Sequence, residues 1–161
     1  MPQDTFTYTA SDGYGATSST TILSIVIYDQ DASYKSGFNT TLKGNHWENV
    51  LDGSAGKDVL IGGNGPDILI GGNGDTLTGG KEHDTFLFRP NFGADKITDF
   101  NVHQDVIQFD KSLFSSVNAI LRHTTNTAGG AVITDTHGDT LTLAGITTGL
   151  LHLHRGDFHL A

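Results

Sequence analysis

Acidic and amide side chains recur through the middle of this chain with a period that favours metal ligation over acid–base catalysis. Asn49, Asp58, Asp67, Asp75 and Asp84 follow one another at intervals of 9, 9, 8 and 9 residues. Leu51, Leu60, Leu69, Leu77 and Phe86 form a second series two residues behind, with the same intervals. Written out from Gly44, the units are GNHWENVLD, GSAGKDVLI, GGNGPDILI, an eight-residue GGNGDTLT, and GGKEHDTFL. The third unit fits GGxGxDxUx, with U a large apolar residue, at every defined position. A catalytic carboxylate pair is a poor reading where nearly every acid already holds a repeat position. A flexible Gly/Asp linker is a poor one too, because a linker has no reason to keep an apolar row in register.

The physical chemistry of the unit is that of a stacked turn. Glycines at its first, second and fourth places permit positive φ and close approach of backbones. The last three residues suit a short strand whose U side chain points inward. Each unit is then half a coil, and turns two units apart stack at roughly 4.8 Å, the spacing of paired strands. Aspartates stacked at that distance repel one another. A hard dication held by carboxylate and backbone carbonyl oxygens relieves the repulsion, and glycine leaves the carbonyls unobstructed.

Four segments must position these turns. Residues 1–30 contain an expected β-hairpin, with Asp4 to Thr9 alternating, a Ser11-Asp12-Gly13-Tyr14-Gly15 turn cluster, and a β-branched run from Thr20 to Tyr28. Residues 31–43 are expected to be a polar connector without periodicity. Residues 44–110 carry the repeats, with 11 of the 18 acidic and four of the nine basic residues, a net charge of −7. Residues 111–161 are expected to form a small α+β cap, with a helix over Phe114 to Arg122 that places Val117, Ile120 and Leu121 on one side. In the cap, strands from Ala131 to Asp135 and Thr140 to Ala144 would flank a hairpin turn at Thr136-His137-Gly138-Asp139. Val59, Ile61, Ile68 and Ile70 flank the U positions and are expected to face outward. They serve either as β-formers or as a face for the hairpin or cap.

The repeats resemble the RTX, or haemolysin-type calcium-binding, family, and GADKITDFNVHQDVIQFD after the fifth unit resembles the coil that closes such repeats. The resemblance implies an all-β fold, a parallel β-roll with a small α+β C-terminal cap, here preceded by the N-terminal β-hairpin. It also implies a ligand scheme of carbonyls from positions one and three of one turn, carbonyls from positions two and four of the turn two units later, and both sixth-position side chains. On this chain one site would use Gly53, Ala55, Asp58, Gly72, Gly74 and Asp75. A second would use Gly62, Asn64, Asp67, Gly80 and Asp84. A weaker third would join Gly44, His46 and Asn49 to Gly63, Gly65 and Asp67. Asp95, Asp99 and Asp105 would lie near further sites, for about three to five calcium ions in all. The departures are the missing residue before Asp75, Glu82 at a glycine place, Asn49 in place of aspartate, and His103 where glycine is usual.

FTYTASDGYG and the Thr-rich run after it resemble the last strands of bacterial cadherin-like or Ig-like repeats; an ordinary hairpin native to this domain is the other reading. Together the resemblances imply a non-enzymatic calcium-binding module that folds on binding the ion. It would sit at the C-terminal end of a secreted or surface-exposed bacterial protein, exported by the type I secretion machinery. The closing Gly156-Asp157-Phe158-His159-Leu160-Ala161 resembles the ends of type I substrates. Two alternatives are a calcium-dependent module for polysaccharide or cell-surface partners and the non-catalytic tail of a secreted enzyme.

Composition narrows the field further. Glycine stands at 21 of 161 residues, only 36 % are hydrophobic, and cysteine is absent, which excludes disulfides and thiolate metal sites. A net charge of −9 opposes binding to a phosphate backbone. The longest strongly apolar stretch, Ile22 to Tyr28, is far short of the roughly 20 residues of a membrane span. No basic and apolar leader opens the sequence. His152, His154 and His159 lack a recognisable third-ligand spacing for zinc, and no HExxH, GxSxG, P-loop or dinucleotide fingerprint is present. Asp135, His137 and Asp139 read as turn geometry. Trp47, the only tryptophan, is expected to lid the first coil.

Overall fold

The computed structural model describes residues 23–26, 33–35 and 39–161. Among the described residues, short segments broken by glycine turns form fourteen strands, and the first ten alternate between two sheets. Odd strands β1 (Leu23–Val26), β3 (Thr40–Lys43), β5 (Val59–Gly63), β7 (Thr76–Gly80) and β9 (Ala94–Ile97) lie side by side in one sheet. Even strands β2 (Ser33–Lys35), β4 (Val50–Asp52), β6 (Ile68–Gly71), β8 (Thr85–Phe88) and β10 (Val106–Phe109) form the other. All these pairings are parallel and join strands two elements apart. This is the parallel β-roll expected from the repeats.

The register stacks the U positions. Leu42, Leu60, Leu77 and Ile97 face one another down the odd sheet, and Leu51, Leu69, Phe86 and Ile107 down the even one. All eight are fully buried. Each contributes about 1.5–3 kcal/mol by leaving water, and this interior is only two side chains thick. Of the flanking residues expected to face outward, Val59 is 38 % exposed and Ile61 and Ile68 are partly covered, whereas Ile70 is buried.

The roll begins earlier than its glycines do. Within the stretch 31–43, expected to be a connector, β2 and β3 make regular rungs against β4 and β5. Thr40 explains why a polar segment can do this, since its N–H and hydroxyl both donate to Asp58 Oδ1, at 2.7 and 2.9 Å. Leu23–Val26, inside the expected hairpin's second strand, pairs in parallel with β3. The hairpin's first strand and turn lie outside the described residues.

The cap continues both sheets. Helix α1 (Val117–Arg122) starts at Ser116, whose side chain accepts the Ala119 N–H, and it buries Ile120 and Leu121. Strands β11 (Thr124–Thr127), β12 (Gly130–Thr134) and β13 (Thr140–Ala144) form an antiparallel meander, and β13 pairs in parallel with β9. After α2 (Thr148–Leu153) and a 3₁₀ turn over Arg155–Asp157, β14 (Phe158–Leu160) joins β10. Phe88, Phe92, Phe109 and Phe114 pack ring on ring between roll and cap, with centroids 5.0–6.2 Å apart. Trp47, expected to lid the first coil, is 51 % exposed.

Candidate metal centres in the stacked turns

The sixth-position side chains form two ladders, one on each side of the roll. On one side Asp58 N–H donates to Asp75 Oδ1 at 2.6 Å and Asp75 N–H to Asp95 Oδ1 at 2.5 Å. On the other, Asn49 donates to Asp67 at 2.8 Å, Asp67 to Asp84 at 2.9 Å, and Asp84 to Asp105 at 3.1 Å. Each carboxylate thus spends Oδ1 on the backbone one coil earlier, which fixes where Oδ2 points. Asp67 Oδ2, Asp84 Oδ2 and Asp95 Oδ2 are fully buried and have no hydrogen-bond partner.

The glycines leave space around those oxygens. A Cβ on Gly62 would stand 2.3 Å from Asp67 Oδ2 and 2.5 Å from the Gly79 carbonyl oxygen. One on Gly44 would stand 2.3 Å from Asn49 Oδ1 and 2.2 Å from the Gly62 oxygen. On the opposite side the carboxylate reaches back over the preceding coil, Asp75 Oδ2 toward Gly53 and Asp95 Oδ2 toward Gly71. The eight-residue unit accounts for Asp75. With one residue fewer ahead of it, Asn73 and Gly74 both adopt left-handed φ, and Asp75 Oδ2 accepts the Gly72 N–H at 2.9 Å.

Buried, acceptor-only oxygens set the electrostatics. Burial pushes Asp67 up to about 7, against the lowering effect of the Asn49 N–H and with Asp84, Glu48 and Glu82 adding to the rise. Burial likewise raises Asp75 to about 7, Asp84 to about 6 and Asp95 to about 8, and it raises Asp105. In each, bonds from backbone N–H groups oppose the rise and neighbouring acids add to it. A cation among these oxygens would hold them ionised and satisfy their free lone pairs. Orphaned carboxylate oxygens, carbonyls approaching the same glycine notch and a shortage of cationic side chains form a hard-oxygen donor set that fits calcium. Among the described residues no three His, Asp or Glu side chains surround one position. Backbone carbonyls must therefore supply part of any ligand shell.

The turns expected to share sites do stack. Turn 44–49 lies on turn 62–67, where Asn64 N–H donates to the Asn45 carbonyl at 2.9 Å. Turn 53–58 lies under Gly72 to Asp75, where the Asn73 side chain donates to the Ser54 carbonyl at 3.0 Å. Turn 62–67 lies under Gly80 to Asp84, where Lys81 N–H donates to the Gly63 carbonyl at 3.0 Å. These contacts bring together Gly53, Ala55 and Asp58 with Gly72, Gly74 and Asp75, and Gly62, Asn64 and Asp67 with Gly80 and Asp84. Asp95 and Asp105 each extend one ladder. Asp99 does not; its two oxygens take the N–H groups of Gly79 and Gly80, at 3.0 and 2.9 Å, and finish that turn instead. Asn49 presents its Oδ1 to the Gly44 notch, but that oxygen is an uncharged amide already accepting the Asn45 N–H at 2.9 Å, and its buried Nδ2 has no acceptor, so the first turn is the poorest cation ligand. Glu82 adopts φ +81° at the fourth position, where Gly56, Gly65 and Gly74 take +105°, +91° and +92°. Sequence reasoning missed Thr40, which has no glycine turn to mark it, and the Gly79 carbonyl, displaced by one place from the expected position.

Residues 52–86 match the family model of the RTX calcium-binding nonapeptide repeat (4 copies). No curated protein matches the chain. Among solved structures it is similar to the AlgE6R3 subunit of the Azotobacter vinelandii mannuronan C5-epimerase, solved in solution. That match has 25 % identity and a TM-score of 0.56, and it covers 82 % of this chain and 80 % of that one. The matched stretch lies within the carboxylate ladders and holds Gly53, Gly62 and Gly79 of the glycine notches, so residues 52–86 are RTX-type calcium-binding repeats, wound here into a parallel β-roll.

Proposed function

We propose that the module folds on calcium and serves, without catalysis of its own, at the C-terminal end of a secreted or surface-exposed bacterial protein exported by type I secretion. The observation that carries the folding part is the set of three buried, unpartnered carboxylate oxygens at Asp67, Asp84 and Asp95. Without a cation they and the net −7 of residues 44–110 oppose closure of the coil. The ions would bind at the stacked turns: Gly53, Ala55, Asp58, Gly72, Gly74 and Asp75 on one side, Gly62, Asn64, Asp67, Gly80 and Asp84 on the other. Weaker positions lie at Asn49, Gly63 and Gly65 and beside Asp95 and Asp105, giving about three to five ions. Residues 44–110 are the ion-dependent unit and 111–161 the cap. Support for the export role is the family resemblance and the family's usual extracellular setting. Dissociation constants of roughly 10⁻⁴–10⁻³ M suit an extracellular module. Each site adds about 2.7 kcal/mol at a hundredfold excess of ion over its Kd. Circular dichroism in chelator and in millimolar calcium tests the coupling: β-structure is expected only with calcium, and a spectrum identical in both would end it.

A further inference from the structure

The chain contains nine asparagines, and only Asn64 and Asn73 are followed by glycine. Both pairs stand at the third and fourth positions of a cation-binding turn. Asparagine before glycine is chemically fragile, because a glycine nitrogen without a neighbouring Cβ can approach the asparagine side chain. The nitrogen of Gly65 or Gly74 attacks the side-chain carbonyl carbon of the preceding asparagine. A C–N bond forms, the bond to the amide nitrogen breaks, and ammonia leaves with the displaced proton. Water then opens the five-membered succinimide at either carbonyl, giving aspartate or its isomer with an extra methylene in the main chain.

The folded roll obstructs the first step at both places. Gly74 N–H is held by the Phe92 carbonyl at 3.2 Å and by Asp95 Oδ1 at 3.0 Å, while the Asn73 amide is tied to the Ser54 carbonyl at 3.0 Å. Gly65 is wedged so closely against the backbone of Trp47 and Glu48 that a Cβ would stand only 2.8–3.3 Å from their atoms, and the Asn64 amide lies 2.7 Å from His46 Nδ1. We propose that Asn64–Gly65 and Asn73–Gly74 are sites of spontaneous deamidation gated by folding, so that the calcium-free chain carries a chemical clock on its own ability to fold. The main-chain isomer at Asn64 would displace the carbonyl expected to meet the ion, and at Asn73 it would lengthen the shortest turn. The gating by calcium rests on the folding reading above; the protection by the roll does not.

The test incubates the full chain at mildly alkaline pH in three buffers: calcium, chelator, and chelator with urea. Peptide mass mapping and enzymatic isoaspartate labelling follow Asn64 and Asn73, and circular dichroism records the fold in parallel. Conversion at both residues should run about tenfold or more faster in urea than in calcium, as expected when reaction needs the opened state. Calcium-dependent folding after return to calcium should fall as conversion rises. Equal rates in calcium and urea would overturn the proposal. So would an unfolded chelator sample with both asparagines intact, or full refolding of a fully converted chain. A chelator sample that stays folded and protected would instead defeat the folding reading, while the urea comparison still decides the deamidation.

Discussion

Replacing Asp67 with asparagine should change stability in opposite directions with and without calcium. Asp67 Oδ1 accepts the Asn49 N–H, a bond an asparagine oxygen keeps. Its Oδ2 is buried without a partner beside the notch of Gly62, and the Gly79 carbonyl approaches the same notch. Burial holds the carboxyl at about 7, against 3.8 in an unstructured chain. About three pKa units correspond to roughly 4 kcal/mol opposing the folded, ionised, metal-free state above neutral pH. Relaxation around a new amide will recover only part of this, about 2 kcal/mol, since a buried N–H without an acceptor would itself cost about 1–3 kcal/mol. For a chain of this size that is a rise in melting temperature of about 4–8 °C in chelator. In calcium the same change deletes a charged ligand and removes up to about 2.7 kcal/mol per affected site at a hundredfold excess of ion. Thermal unfolding followed by circular dichroism at pH 8 reads both arms, with an excluded osmolyte added to both so that the metal-free chain stays folded. Asp67→Asn should melt higher than the parent in chelator and lower in calcium. Equal destabilisation in both would mean that Asp67 is only a hydrogen-bond acceptor for the ladder, and the cation role of that turn would be refuted.

Acidification should substitute in part for calcium. The folded-state values of about 6 to 8 for Asp84, Asp67, Asp75 and Asp95 all lie above 3.8, so the folded chain binds protons that the unfolded chain releases. In chelator this contribution is fully present below about pH 4 and is lost as pH rises through 6 to 8; a β-signal that does not fall between pH 5 and pH 8.5 would contradict it. Gly62→Ala should place a methyl between Asp67 Oδ2 and the Gly79 carbonyl and destabilise by about 1–3 kcal/mol through overpacking alone. It should also weaken calcium binding in calorimetry, whereas Gly156→Ala, with open space around it and no positive φ, should do neither. Glu82→Gly should stabilise the metal-free fold by about 1 kcal/mol, because the left-handed conformation at +81° suits glycine and one repelling charge near Asp67 and Asp84 disappears. Urea midpoints in chelator measure that gain.

The roll was legible in the sequence because two independent series, the sixth-position polar residues and the U-position apolar ones, keep the same spacing. Position alone was enough to place Leu51, Leu60 and Leu69 inside and Asp58, Asp67 and Asp75 on the turns. The rungs before Gly44 were not legible, because Thr40 takes the place of a carboxylate and a hydroxyl does not announce a turn. The cap was legible where a strand pair surrounds a glycine turn, as at Gly138, and illegible where neighbours create the element. β14 is three residues long and exists because β10 offers it an edge. α2 begins at Thr147, whose hydroxyl accepts the Leu150 N–H, but Gly149 and His152 blur its apolar pattern. At the site, the ligand turns could be paired from the n and n+2 rule, while the direction of each Oδ2 depends on backbone bonds from the previous coil, which no single unit encodes.

The alternation of strands between the two sheets gives the chain a parity. A unit's address in the sequence, odd or even, decides which sheet receives its strand and which flank receives its turn. Loss of a single nonapeptide would send every later unit to the opposite flank, interrupt both carboxylate ladders at once, and deliver the cap's β13 and β14 to each other's sheets. Loss or gain of two units preserves both addresses and only shortens or extends the roll by one full coil. The length of such a module can therefore drift freely only in steps of two.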